Sequence, residues 1–121
     1  MRSKTGIATY TLRLLAEALQ KRQRYIVGSR IVLIGFTGHT DEHARKECEE
    51  IVSTLKRNGA EVHSLDASFD NYADFRIQLT NVLRHADAAL IDTDSRFFKA
   101  LRPKEVRALG VNIVIPTSLR A

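Results

Sequence analysis

The chain has 121 residues, a size that fits one domain and is long enough to bury a core without disulfides or metals. Its composition, 44% hydrophobic and 27% charged, is that of an ordinary soluble domain and excludes disordered, fibrous and membrane-spanning classes. A net charge of +5 favours a polyanionic or phosphate-bearing partner, and the single cysteine, Cys48, excludes an internal disulfide and any multi-cysteine metal site.

The first predicted element is an amphipathic helix from about Gly6 to Arg24, with Ile7, Tyr10, Leu14, Leu15, Ala18 and Leu19 at helical spacing. A short connector around Tyr25 to Ser29 leads into Arg30 to Phe36, an apolar and β-branched run without alternation, as expected of a central strand covered on both faces. Thr40-Asp41-Glu42 offers an N-cap with acids in the first turn, and the helix it starts carries Ala44, Cys48, Ile51, Val52 and Leu55 on one stripe. Cys48 on that stripe reads as a packing residue. Asn58-Gly59 supplies a left-handed stop, after which Ala60 to Leu65 is a short strand ending at Asp66. Asp70-Asn71 would cap a third helix bearing Tyr72, Phe75, Leu79, Val82 and Leu83, followed by the strand Ala88 to Asp92. Pro103 suits the first turn of a helix through Ala108, and Val111 to Ile115 forms a last strand that Pro116 should end.

An opening helix followed by β-α-β-α-β-α-β predicts an α/β, Rossmann-like three-layer domain with a parallel sheet of about four strands. Residues 1–27 form the helix and linker, and residues 28–121 the Rossmann-like domain. Ligands of such sheets lie at the carboxyl ends of the strands, which here carry Gly35, Phe36, Thr37, Gly38, His39 and Thr40, then Asp66, then Thr93-Asp94-Ser95, and finally Thr117-Ser118. Gly35 and Gly38 would let a phosphate approach the backbone next to a helix N-terminus, although Asp41 and Glu42 oppose its charge and the spacing falls short of GxGxxG.

His39 and His43 lack an accompanying HExxH pattern, so no metal site is expected. Asp92 and Asp94 read as solvated loop acids, and neither Ser95 nor Cys48 has a histidine partner, so no nucleophile triad is expected. With scattered aromatics and no groove-reading motif, nucleic acid is not the expected partner. The start lacks the apolar run of a signal peptide, which makes the cytoplasm the expected location.

The order of elements and several segments resemble the C-terminal, UDP-binding domain of the UDP-glucose/GDP-mannose dehydrogenase family over nearly the whole chain. Thr9 to Leu19 is similar to the later part of that family's central helix, and Gly28-Ser29-Arg30-Ile31-Val32-Leu33-Ile34-Gly35-Phe36 to the opening of its C-terminal domain. Asn58 to Asp66, Asp87 to Asp94 and Phe98 to Leu101 resemble its lysine-glycine-alanine-glutamate-valine, aspartate-alanine and phenylalanine-lysine stretches. The resemblance implies a site for UDP or a UDP-sugar at Gly35, Phe36, Thr37, Gly38, His39, Asp41, Arg45, Asp66 and Thr93, and a dimer through the opening helix. The parent reaction is an NAD-dependent oxidation of sugar nucleotides to uronic acids with a cysteine nucleophile. The NAD-binding half and that cysteine's segment are missing here, so no cofactor and no catalysis are expected of this chain alone. The family's loop after the first strand carries a lysine-proline pair where this chain has Gly38, His39 and Thr40. Its late arginine is also missing, with Arg120 the only substitute nearby. The alternative reading is a divergent interaction or dimerisation module that has lost nucleotide binding. A third is a Rossmann-like hydrolase or nucleoside-processing fragment.

Overall fold

The computed structural model describes residues 7–36, 41–65, 72–93 and 102–117. In chain order these form α1 (Ile7–Gln20), β1 (Arg30–Ile34), α2 (Glu42–Arg57), β2 (Glu61–Leu65), α3 (Tyr72–Leu83), β3 (Ala88–Asp92), α4 (Pro103–Ala108) and β4 (Val114–Thr117). The strands pair in parallel in the order β2-β1-β3-β4, with Ile31 opposite Val62 on one side and Ala88 on the other, and Leu90 opposite Ile115.

Alternation along the strands divides the core into two faces, both apolar, which is why β1 and β3 read as unbroken hydrophobic runs. Ile31, Leu33, Ala88, Leu90, Ile113 and Ile115 share one cluster with Leu15 and Leu19 of α1 and Ala44, Cys48, Ile51 and Leu55 of α2. Val32, Ile34, Ala89, Ile91 and Val114 share the other with Phe75, Leu79 and Leu83 of α3 and Val106 of α4. The result is the expected three layers, two helices on each side of the sheet. Phe75, Leu79 and Leu83 are fully buried, each stabilising the α3 contact by about 1.5–3 kcal/mol.

The first helix is therefore an integral layer. Its apolar face, which the dimer expectation assigned to a second copy, lies on the sheet and α2, and among its described large apolar side chains Tyr10 is the one left exposed. No acid stands in its own first turn; Glu47 of α2 supplies one, accepting from Ala8 N at 3.1 Å. The helix stops at Gln20, before the Arg24 expected from spacing, because Lys21 to Gln23 form a turn with Gln23 at φ 61°. Its continuation is held by Arg24, which pairs with Asp87, and by Gly28, whose N–H bonds Gly59 O at 2.9 Å.

Two expectations need correction at the last strand. It starts at Val114, three residues later than expected, although Val111 and Ile113 are buried and Ile113 O already accepts from Ala89 N. It also runs through Pro116, which sits opposite Ile91 instead of ending the strand. The physical reason is that β4 is an edge strand: Ile113 and Thr117 turn their carbonyls to β3, so the intervening Pro116 faces outward where no ladder N–H is required. No helix among the described residues is long and apolar enough to cross a membrane.

Candidate functional site

Strand order reverses between β1 and β3, since the chain leaves β1 toward β2 and then crosses back to β3. The β1–β3 ladder runs to Ile34 opposite Ile91. Immediately beyond it, Gly35 N bonds Leu65 O at 3.2 Å while Thr93 N bonds Thr117 O at 2.9 Å. These bonds continue the ordinary alternation of the ladders, in which Gly35 faces β2 and Thr93 faces β4, so the ends of the two central strands stand side by side at the point where strand order reverses. Gly35 takes φ 78°, a left-handed conformation that a side chain would strain.

The candidate residues divide sharply. Gly35 and Thr93 end the two central strands at the switch point, where the ligand crevice of such sheets is expected. Phe36 turns into the α1–α2 side of the core, 4% exposed, beside Ala44 and Cys48. It also lines a small cavity of about 270 Å3 with Cys48, Val52 and Ser64. Asp41 is the N-cap of α2, its Oδ2 accepting from Ala44 N at 2.9 Å, so its carboxylate occupies the place where a bound anion would meet the helix N-terminus. Arg45, on the first turn of α2, is exposed and makes no ion pair among the described residues. Thr37, Gly38, His39, Asp66 and Arg120 lie outside the described residues.

Asp92 was expected in a solvated loop. It is instead the last residue of β3, fully buried, in register with the equally buried Thr117 and turned toward the α1–α2 side of the sheet. The carboxyl end of β3 therefore buries an acid. That charge reaches Cys48, whose thiol is pushed up to about 12, first by burial, then by Asp92 and by the neighbouring acids Glu47 and Glu49. Cys48 is a protonated core thiol, unsuited to nucleophilic chemistry. His43 faces Glu47 at 3.8 Å, and among the described residues no three His, Cys, Asp or Glu side chains are grouped to hold a metal.

Elsewhere among the described residues a shallow groove of about 900 Å3 runs along the free edge of β4, floored by Leu14, Ala18, Ile113 and Ile115 and rimmed by Arg22 and Arg107. Its size reflects an uncovered sheet edge. No family model, curated protein or solved structure matches the chain.

Proposed function

We propose that the crevice between Gly35 and Thr93 binds UDP or a UDP-sugar, and that the chain is the nucleotide-binding module of a nucleotide-sugar dehydrogenase-like protein without catalysis of its own. The observation that carries this reading is the reversal of strand order between β1 and β3, whose carboxyl ends form the switch point at which nucleotides bind in doubly wound folds. Arg45 is the described cation best placed for the diphosphate, one turn into the helix that starts beside the crevice. Asp41 and buried Asp92 both disfavour phosphate, so the diphosphate belongs at the Arg45 side and affinity is modest. NAD does not fit: the loop has Gly35 but not the GxGxxG spacing, and the helix N-terminus that would meet its pyrophosphate is taken by Asp41. The parent family's oxidation would draw its cofactor and nucleophile from residues this sequence does not contain.

Isothermal titration with UDP, UDP-glucose and UMP tests the reading. Saturable heat with UDP, weakened about tenfold by Arg45→Ala, an effect of about 1.4 kcal/mol, is the expected result. Absence of heat at millimolar UDP from a sample with a native circular dichroism spectrum would overturn it.

A further inference from the structure

The end of the domain opposite the crevice has a different character. Every helix among the described residues runs against the strands, so these four finish at the strands' amino ends, where the connections converge. Gly28 N meets Gly59 O, Asp87 N meets Arg30 O, and Arg22 and Arg24 stand with Asp87 and Asn112 around one hollow. Residues distant in sequence thereby gather into one cationic surface. Arg24 and Arg30 are engaged there by Asp87 and Glu61. Lys21, Arg22, Lys56, Arg84 and Arg107 are exposed and have no ion-pair partner among the described residues.

Cations near helix C-termini are commonly explained by the helix dipole, an effect confined to the last turn. That accounts for Lys56 and Arg107. It leaves Lys21, Arg22 and Arg84 unexplained, because neither α1 nor α3 has a basic residue in its last turn and these three lie beyond it. Tyr25, 68% exposed, projects from the same connection that carries Arg22 and Arg24.

From this juxtaposition we infer that the cationic end binds the phosphate backbone of a single-stranded nucleic acid, with Tyr25 as a stacking surface for one base. Lys21, Arg22 and Arg107, from helix ends on the two faces of the sheet, line one groove together with Glu17, a largely cationic track of the kind that follows the backbone of a single strand. Among the described residues, exposed large apolar side chains at this end are Tyr25 and Val27, too little to anchor a membrane surface or the centre of a protein interface. No helix projects from this end to read a duplex groove, which favours a single strand. Recognition is therefore electrostatic and weakly dependent on sequence.

Fluorescence anisotropy with labelled 12-nucleotide single-stranded RNA and DNA tests the inference on the full chain. Binding at 50 mM salt should weaken roughly a hundredfold at 200 mM, the dependence expected for about five phosphate contacts to a single strand. The Arg22→Glu/Arg107→Glu variant should lose at least tenfold and Tyr25→Ala at least fivefold, with native circular dichroism spectra and UDP heats unaltered. Retained oligonucleotide affinity in the double charge-reversal variant would overturn the inference. So would tighter binding to polyglutamate or to phosphatidylserine vesicles than to the oligonucleotides in the same buffer.

Discussion

Asp87 holds two arginines from different parts of the chain at once: its Oδ1 lies 3.1 Å from Nη1 of Arg24, and its Oδ2 accepts from the backbone N of Arg30 at 2.8 Å. One carboxylate thus ties the tail of α1 to the first residue of β1 from the turn before β3. The backbone bond should dominate, because Arg24 is largely exposed and such pairs contribute at most about 1 kcal/mol. Asp87→Ala, which strands the Arg30 N–H, should cost about 1–3 kcal/mol in urea unfolding. Asp87→Asn should cost less than half of that, and Arg24→Ala under about 1 kcal/mol. Equal losses for Arg24→Ala and Asp87→Ala would show that the ion pair, not the backbone bond, is what matters.

Gly59 tests how tightly the same end is assembled. It has φ +82°, and a Cβ there would come within 2.9 Å of Val27 Cγ2. Gly59→Ala should destabilise by more than about 1 kcal/mol through backbone strain and contact together. Adding Val27→Ala, at a position 66% exposed, should recover the contact part alone, so the double variant should be more stable than additivity allows. Strict additivity in thermal melts would refute the close approach.

Asp41 separates the structural role of a candidate residue from its proposed ligand role. As the cap of α2 it should cost about 1 kcal/mol when changed to Ala and almost nothing when changed to Asn, which caps equally well. Because its charge opposes a phosphate at the helix N-terminus, Asp41→Asn should also bind UDP more tightly than the parent chain. Weaker UDP binding by a fully folded Asp41→Asn protein would instead make the carboxylate a contact to the ligand.

Cys48 makes an alkaline prediction with a definite sign. Its thiol titrates near 9 when exposed and is held up to about 12 in the fold, so folding favours the protonated form. The associated stability is complete below about pH 9 and is lost as pH rises toward 12. Cys48→Ala should lower stability at neutral pH, since it removes a buried group, but should show a flatter decline above pH 9 than the parent. Native protein should resist iodoacetamide at pH 8 and react fully in urea; rapid native alkylation would contradict the buried thiol.

Much of the architecture was legible because burial on both sheet faces leaves a plain trace: Ile31 to Ile34 and Ala88 to Ile91 cannot alternate when helices cover both sides. β2 is less apolar, with Glu61, His63 and Ser64 exposed, and was legible mainly from Asn58-Gly59 before it. Asp92 was misread because an acid after four apolar residues resembles the start of a loop. Only its register with Thr117 and the cover from the α1–α2 side bury it. Within the site, Thr40-Asp41-Glu42 was read as a cap followed by first-turn acids without singling out Asp41, which the structure makes the cap itself; the same residue carried the resemblance, and sequence alone does not rank those roles. The cationic end was illegible for a different reason. Lys21 and Arg107 are far apart in sequence, and only the shared direction of the helices brings them to one surface.

Pro116 has a further consequence for behaviour at high concentration. Uncovered sheet margins are where identical chains add to one another and grow into continuous ribbons, and this domain has two such margins. At β4 the strand is four residues long and its outward side lacks a donor at Pro116; at β2 the margin carries the polar pair of Glu61 and His63, 2.6 Å apart. Both ends of the sheet are thereby terminated by chemistry rather than by cover, which keeps the margins open to solvent without making them templates for polymerisation.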